Sequence, residues 1–238
     1  EEDYQIFMTL LVTKNGDIWV GGESNKGDKN KEVKRPSLLY LDKQKGKLIP
    51  FENAATTVLK LQQRNISDIQ EGENGIIWVA TNDGALIEIN QANNKVQEYT
   101  LNKENNPQKL QIQQIIYEQE NIWAATSKGV YQFNQKTKKF SLVEVTADFE
   151  INAFAKDKEG IFWLGTKQNG LKKMSAKANV VSTPDASHLP YTLIDKIIIG
   201  KDNELWLSTQ EGIYFLNKSV KTHTDGHFQA YNKKDGLV

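Results

Sequence analysis

The sequence contains no cysteine among its 238 residues. Disulfide bonds, thiolate nucleophiles and cysteine-ligated zinc are therefore excluded as sources of stability or chemistry. Arginine is nearly absent too, since it occurs only at Arg35 and Arg64, and lysine supplies the other basic residues. Because 30 basic residues balance 30 acidic ones, the zero net charge argues against nucleic acid or an anionic membrane as a partner.

Long apolar runs are missing as well. No stretch approaches the ~20 apolar residues that a membrane-spanning helix requires, so we predict no direct membrane insertion by this segment. The acidic beginning, EEDYQ, does not have the pattern of a signal peptide. No segment has the periodicity of a long helix.

What the sequence does contain is a repeat centred on its tryptophans. They lie 59, 45, 40 and 43 positions apart, at Trp19, Trp78, Trp123, Trp163 and Trp206. A charged insertion, residues 23–36, accounts for the longer first spacing. The residue two positions after each tryptophan is small, and the next is threonine in every repeat except the first, where it is Gly22. A period of about 40 residues is typical of several repeat folds, including β-propellers.

Each repeat contains four short segments with the alternating polarity of β-strands, separated by turn-forming residues. We therefore predict an all-β fold, a β-propeller of four-stranded antiparallel blades. Five blades are present, either alone or as part of a seven-bladed or double propeller. The predicted boundaries are 1–52, 53–100, 101–145, 146–184 and 185–238, the last including the start of a further blade.

The five tryptophans have two alternative roles. As structural residues they would be wedges on the second strand of each blade, packed against the next blade, with the small residue allowing close approach. As functional residues they would be platforms for stacking a sugar ring. Because a binding site needs one or two such rings at one place, whereas every repeat has one, we favour the structural role.

The segment DKEGIFWLGTKQNGL, residues 157–171, resembles the two-component regulator propeller repeat. The resemblance extends over essentially the whole chain, as a glycine turn, a W-[VL]-[GAS]-T strand and a second glycine turn. In that family such propellers form the extracytoplasmic sensor region of hybrid histidine kinases, which occur in Bacteroidetes and sense oligosaccharides. Family sensors have two seven-bladed propellers, a β-sandwich, a membrane helix and a kinase, whereas this sequence has five blades.

The resemblance implies that the chain is part of a larger periplasmic sensor, or a truncated relative of one. Its expected partners are an oligosaccharide or another small polar ligand and the remaining domains of the same receptor. A homodimer is expected in the full receptor, because paired kinases need paired sensors. The chain itself is expected to have no catalytic activity, no cofactor and no metal.

Ligands usually bind a propeller at the end that carries the loops between blades and the loops after the second strands. In this sequence those loops differ from repeat to repeat and are rich in amides, carboxylates and tyrosine, which suits hydroxyl-rich ligands. The alternative for each is an ordinary solvated loop residue. The predicted ligand-binding residues are Arg64, Asn65, Asp68, Asn82, Asp83, Gln113, Asn152, Gln168, Asn169, Tyr191 and Gln210.

Arg64 has two specific alternatives. It could make a bidentate contact to a carboxylate of the ligand. We favour the other interpretation, a salt bridge to Asp68 or to a carboxylate of a neighbouring blade.

Two other functions are weighed against a sensor. A lyase similar to the streptogramin-inactivating propeller enzymes would need a histidine and a metal, but His188, His223 and His227 all fall near the end of the sequence. The HTDGH segment suggests a hairpin turn more strongly than a metal site, because no third ligand is evident. A protein-interaction propeller would need an exposed apolar patch, for which the loops offer few candidates.

Overall fold

Strand pairing divides the chain into five separate sheets. The computed structural model describes residues 6–24, 36–101, 110–175, 180–184, 193–216 and 228–237. Within these residues each sheet has four antiparallel strands in chain order. The fold is therefore an all-β, five-bladed β-propeller, as the repeat predicts. No helix in the described part of the chain is long and apolar enough to cross a membrane.

The strands of each blade follow one another along the chain. Blade 1 contains β1 (Phe7–Val12), β2 (Ile18–Gly22), β3 (Leu38–Asp42) and β4 (Lys47–Pro50). Blade 2 contains β5 (Ile66–Glu71), β6 (Ile76–Thr81), β7 (Ala85–Asn90) and β8 (Lys95–Thr100). Blade 3 contains β9 (Ile112–Glu118), β10 (Asn121–Thr126), β11 (Gly129–Asn134) and β12 (Lys139–Leu142).

The last two blades have shorter fourth strands. Blade 4 contains β13 (Ile151–Lys156), β14 (Ile161–Thr166), β15 (Leu171–Ser175) and β16 (Val180–Ser182). Blade 5 contains β17 (Ile194–Ile199), β18 (Leu205–Thr209), β19 (Gly212–Leu216) and β20 (Gln229–Tyr231). Each tryptophan of the repeat lies on the second strand of its blade.

Helical structure is limited to short pieces. The helix α1 (Ala54–Val58) begins at Asn53, whose side chain accepts a hydrogen bond from the Thr56 backbone while the Thr56 side chain accepts one from the Asn53 backbone. Single 3₁₀ turns occur at Leu61–Gln63, Glu144–Thr146 and Lys233–Asp235.

The turn between the first and second strands requires positive φ three residues before the tryptophan. Gly75 has φ 73° there and Asn203 has φ 66°, as the turn chemistry predicts. Blade 3 is different, because Glu120 is not among the positive-φ residues of the described chain. Its first-strand hairpin is one residue shorter, since Ile112 to Trp123 spans one position fewer than Ile66 to Trp78.

The chain divides into two compact units. Unit 1 comprises Glu1–Trp123 and Phe133–Phe140, and unit 2 comprises Ala124–Gln132 and Ser141–Val238. In unit 1, Trp19 packs in a cluster with Leu61 and with the β5 to β7 side chains of blade 2. In unit 2, Trp163 packs with the β17 to β19 side chains of blade 5.

Small residues allow neighbouring blades to approach closely. A Cβ atom added at Gly21 would lie 2.4 Å from Ile66 Cγ2, and one added at Gly165 would lie 2.7 Å from Ile194 Cβ. Both distances are far below van der Waals contact, which confirms the predicted reason for a small residue at these two positions. The tryptophans are 1% (Trp19, Trp78) to 6% exposed in blades 1 to 4, while Trp206 of blade 5 is partly exposed.

Candidate functional site

In blades 2 to 5 the turn after the second strand is anchored by the threonine that ends the strand. In blade 4 the Thr166 hydroxyl donates to the Gly170 carbonyl at 2.7 Å and accepts from the Asn169 backbone at 2.8 Å. Thr126 and Thr209 make the same pair of bonds in blades 3 and 5. The residues that follow each threonine are therefore held in a fixed turn, and the repeated threonine is explained by turn geometry.

In blade 2 this turn is joined to Arg64 by an ion-pair cluster. The Arg64 guanidinium donates to Asp83 through Nε at 2.9 Å and Nη2 at 2.8 Å, and to Glu98 Oε1 through Nη1 at 2.7 Å. The Thr81 hydroxyl donates to the same Asp83 carboxylate. The Arg64 side chain is only 13% exposed, so its donors are directed at these two carboxylates.

Electrostatics favour the charged forms of this cluster. Burial alone would raise the pKa of Asp83, but hydrogen bonds from Arg64 and Thr81 outweigh burial and hold the pKa below its ordinary value. Burial would also lower the pKa of Arg64, but hydrogen bonds to Asp83 and Glu98 outweigh it and raise the pKa. The predicted salt bridge of Arg64 is present, but its partners were predicted wrongly: they are Asp83 and Glu98 of the same blade, and not Asp68 or a carboxylate of a neighbouring blade.

Asp68 lies within β5 rather than in a loop, and it is 8% exposed. Its Oδ1 accepts from the Thr9 hydroxyl at 3.2 Å and from the Ile69 backbone at 2.9 Å, while Oδ2 accepts from the Ile115 backbone at 2.9 Å. These donors belong to β1, β5 and β9, so one carboxylate joins three consecutive blades. This geometry supports a structural role for Asp68; ligand contact by it stays a prediction.

The two predicted asparagines of blade 2, Asn65 and Asn82, are neighbours. The backbone N–H of Asn82 donates to the backbone carbonyl of Asn65 at 3.0 Å. Asn65 Oδ1 accepts from the Ser24 backbone at 3.1 Å and lies 3.4 Å from the Ser24 hydroxyl. Asn82 Oδ1 is buried and has no hydrogen-bond partner within the described residues. Because this oxygen is buried, only an enclosed water or a local rearrangement of the loop would supply its missing hydrogen bond.

A β-bulge opens the first strand of each blade whose pairing is described. The register shifts between Phe7 and Thr9, and at the equivalent positions of blades 2, 4 and 5. Bulges re-aim side chains and are common beside binding sites. Ser67 occupies this position in blade 2, and its hydroxyl is buried without a partner in the described structure. Ser67 was missed by sequence reasoning, because a serine inside a strand gives no signal.

Asn152 occupies the bulge position of blade 4, in β13. Its side-chain nitrogen donates to the Ile194 carbonyl at 3.0 Å, which links blade 4 to blade 5 within unit 2. Gln113 lies in β9, and its side-chain nitrogen donates to Gln111 Oε1 at 3.3 Å. The predicted residues on first strands are thus engaged with neighbouring groups.

The predicted residues of the blade 4 and blade 5 turns have a different environment. Gln168, Asn169 and Gln210 are exposed and follow the anchored threonines. Beside the first two, Lys167 Nζ lies 3.0 Å from Glu150 Oε1 in an exposed ion pair. The turns fix the backbone of these residues, and their amide side chains are exposed to solvent.

Several predicted or considered residues fall outside the described part of the chain. Tyr191 is one, and the three histidines and residues 25–35 of the charged insertion are others. Within the residues that the structure covers, no group of three or more side chains could hold a metal ion.

The blade plan and the anchored turns define a repeat propeller with variable polar loops. Residues 60–83, which carry Arg64, Asn65, Asp68, Asn82 and Asp83, match the family model described as two component regulator propeller. This match confirms the resemblance identified from the repeat. No curated protein matches the chain by sequence.

Solved structures with similar folds include extracellular domains of two-component systems and a lyase. The extracellular domain of a protein described as a hybrid two component system from B. thetaiotaomicron has a TM-score of 0.70 and 20% identity over 90% of this chain. A second such domain from this organism has a TM-score of 0.70 and 17% identity over 99% of the chain. The chain spans only 28% and 29% of their respective lengths.

A streptogramin B lyase is also similar, with a TM-score of 0.65 and 18% identity over 95% of this chain and 68% of the lyase. Identities this low show a shared fold and no more. Because one fold can carry unrelated functions, the function of this chain has to be argued from its loops.

Proposed function

We propose that this chain is the ligand-sensing propeller region of a hybrid two-component receptor and that it recognises an oligosaccharide. The observation that carries the proposal is the set of anchored turns: threonines hold the turns of blades 3, 4 and 5 in the same way, and the turns of blades 4 and 5 present exposed amide side chains. Fixed turns lower the entropy lost on binding. Neutral amides donate and accept hydrogen bonds, as sugar hydroxyl groups require.

We infer from their surroundings which of the predicted residues remain available to a ligand. Arg64 and Asp68 are engaged with protein groups, whereas Gln168, Asn169 and Gln210 are exposed on their turns. Asn82 adds an unsatisfied acceptor in blade 2. We therefore propose that amides, rather than the arginine, make the direct ligand contacts.

The receptor context is part of the same proposal. The matched family model and the similar extracellular domains support a segment located outside the cytoplasm, in the periplasm, that passes ligand binding to a histidine kinase through other domains. A homodimer of the full receptor and a Bacteroidetes-type source belong to this proposal too.

Isothermal titration of the chain against a panel of plant and host oligosaccharides tests the site. We expect saturable binding of one glycan and at least tenfold weaker binding after Gln168→Ala with Asn169→Ala. Gln97→Ala, an exposed amide on the outer strand β8, is the matched control and should leave affinity unchanged. Equal affinity in the turn variant would overturn the assignment of contacts, and no binding by the folded chain would overturn a glycan site within these blades.

The similarity to a streptogramin B lyase favours one competing function, an enzyme on the same scaffold. Mass analysis of each titrated compound distinguishes the two. A sensor leaves the compound intact, whereas a new product would overturn the non-catalytic proposal.

A further inference from the structure

Three Asn-Gly pairs occur in the sequence: Asn15–Gly16, Asn74–Gly75 and Asn169–Gly170. Asparagine is a thermolabile residue, and it is most labile before glycine, because glycine has no side chain to hinder the approach of its nitrogen to the asparagine side chain. All three asparagines are exposed to solvent. On sequence alone the three pairs are equivalent, so any difference in their reactivity has to come from the folded structure.

The reaction at an Asn-Gly pair is deamidation, which needs only water. The glycine nitrogen loses its proton and attacks the side-chain carbonyl carbon of asparagine, and the side-chain nitrogen leaves as ammonia. Water then opens the succinimide ring at either carbonyl, which gives aspartate or isoaspartate. Two structural features oppose the attack: a glycine N–H that is already donated in a hydrogen bond, and a backbone conformation that turns the glycine nitrogen away from the side chain.

The Asn15 pair has the first of these features. In the turn between β1 and β2, the Gly16 N–H donates to the Thr13 carbonyl at 2.8 Å. The carbonyl of the same peptide group, that of Asn15, accepts from Lys43 Nζ at 3.1 Å. Attack by the Gly16 nitrogen requires its hydrogen bond to break first, so this turn protects Asn15.

The Asn74 pair has the second feature. Asn74 has φ 55°, which is the left-handed region, where ψ is about +47°. For an L-residue this ψ places the nitrogen of the next residue nearly opposite Cβ across the Cα–C bond, so the Gly75 nitrogen points away from the Asn74 side chain. A hydrogen bond from the Ile76 N–H to the Glu73 carbonyl at 3.1 Å closes the turn around the pair. Asn74 therefore reacts only when this turn opens.

The Asn169 pair has neither feature. Asn169 does not have a positive φ, and no group among the described residues accepts a hydrogen bond from the Gly170 N–H. The bonds that hold this turn use the atoms on either side of the reacting pair: the Asn169 N–H donates to the Thr166 hydroxyl at 2.8 Å, and the Gly170 carbonyl accepts from that hydroxyl at 2.7 Å. Because Gly170 is itself buried, we expect the reaction to be slower here than in the unfolded chain.

We propose that Asn169 is a site of spontaneous deamidation in the folded protein and that it reacts before Asn15 and Asn74. Either product replaces a neutral amide by a carboxylate, which removes two hydrogen-bond donors and adds a negative charge. Isoaspartate also lengthens the backbone between the two groups that Thr166 holds. The modification is independent of ligand recognition; only its consequence, a changed side chain at a predicted glycan contact, rests on the proposed function.

Peptide mass spectrometry of the full chain, incubated in mildly alkaline buffer, measures the three rates separately, because the three pairs lie in different tryptic peptides. We expect Asn169 to react severalfold faster than Asn15 and Asn74 in the folded chain. In urea the three rates should converge, since all three asparagines precede glycine. Reaction of Asn15 or Asn74 as fast as Asn169 in the folded chain would overturn the proposal. An Asn169 that stays intact when folded but reacts in urea would also overturn it.

Isoelectric focusing gives an independent readout, because each deamidation makes the chain more acidic. We expect Asn169→Gln, whose longer side chain would have to close a larger ring, to acquire the acidic band severalfold more slowly than the unmodified chain. Asn15→Gln is the matched control and should leave the rate unchanged, and circular dichroism checks that both variants fold. Equal rates for the unmodified chain and Asn169→Gln would overturn the proposal. Neither measurement uses a ligand, so a failure of the glycan site does not affect them.

Discussion

Blades 2 and 4 share one strand plan but use equivalent positions differently. In blade 4, Trp163 Nε1 donates to Asp157 Oδ2 at 2.7 Å, and Asp157 Oδ1 accepts from the Ile161 backbone at 2.8 Å. In blade 2 the position of Asp157 is Gly72, and Trp78 Nε1 is buried with no partner in the described residues. The comparison shows that the tryptophan position requires a packed ring. The hydrogen bond of the indole nitrogen is present in blade 4 but is not required in blade 2.

The same two blades also differ at the turns that follow their second strands, where blade 2 has the more extensive polar contacts. Blade 2 ties its loops together through the mostly buried Arg64 and its two carboxylates. At this end of blade 4 the described residues include the exposed pair of Lys167 with Glu150, whose side chains are 53% and 43% exposed. In blade 2 the ion-pair cluster thus adds to the turn held by Thr81, whereas in blade 4 the turn is held by Thr166 and its amides are exposed.

The largest expected effect is at Asp157. Asp157→Ala leaves both the Trp163 indole nitrogen and the Ile161 backbone without their acceptor, so we expect a loss of about 2–4 kcal/mol in the free energy of unfolding. Urea unfolding measures it. Asp157→Asn is the matched control, because its amide oxygen retains one acceptor and the loss should be smaller. A loss below about 0.5 kcal/mol for the alanine variant would contradict the argument.

The tryptophan comparison can be tested directly with phenylalanine. Trp163→Phe removes one of the donors to the Asp157 carboxylate, whereas Trp78→Phe removes a donor that has no partner among the described residues. Since both lose a similar ring volume, we expect the blade 4 variant to be less stable than the blade 2 variant by about 1–3 kcal/mol. Equal losses would mean that the indole hydrogen bond of Trp163 contributes nothing.

The loop comparison predicts a smaller difference. Arg64→Ala removes the common partner of Asp83 and Glu98, and because the arginine is largely buried we expect a loss of about 1–2 kcal/mol. Lys167→Ala breaks the exposed pair of blade 4 and should cost under about 0.5 kcal/mol. Chemical unfolding of both variants at the same salt concentration makes the comparison. A reversed order would show that the blade 2 cluster is not stabilising.

The smallest effect is the pH dependence of the blade 2 cluster. Because the pKa of Asp83 is lower in the folded chain than its ordinary value, its contribution is present above the ordinary carboxyl pKa of about 3.9 and is lost as pH falls through the folded pKa. Asp83 is half exposed, so solvent screening limits the contribution to at most about 1 kcal/mol.

The measurement for this prediction is the difference in unfolding free energy between the unmodified chain and Asp83→Asn. That difference should be constant from pH 6 to 8 and should shrink below about pH 4. Glu150→Gln, in the exposed pair of blade 4, is the control for general charge effects. A difference that grows as the pH falls would contradict the assigned direction of the pKa shift.

Much of the fold could be predicted from the repeat, and much of the candidate site could not. The spacing of the tryptophans and the alternating strands give the blade architecture because both depend on local periodicity. The Glu120 turn departs from its equivalents because the loss of one residue changes the hairpin. The sequence could not reveal that Asp68 collects donors from β1 and β9, since those strands meet it only in the folded molecule.

The same limit applies to Arg64 and Asn82. The sequence did predict a carboxylate partner for Arg64. It could not predict that the partners are Asp83 and Glu98 rather than Asp68, because this depends on which segments converge in the folded molecule. The unsatisfied oxygen of Asn82 is likewise a property of its surroundings and has no sequence signal.

By itself the sequence determined the repeated unit: short alternating strands, turns that need glycine or asparagine, a tryptophan followed by a small residue, and an anchoring threonine. These are fixed locally, because strand polarity and turn conformation depend on neighbouring residues. Only the tertiary structure decided which polar side chains bind protein groups and which reach solvent. Those outcomes depend on residues distant in sequence, whose burial and hydrogen bonds arise when blade packs on blade.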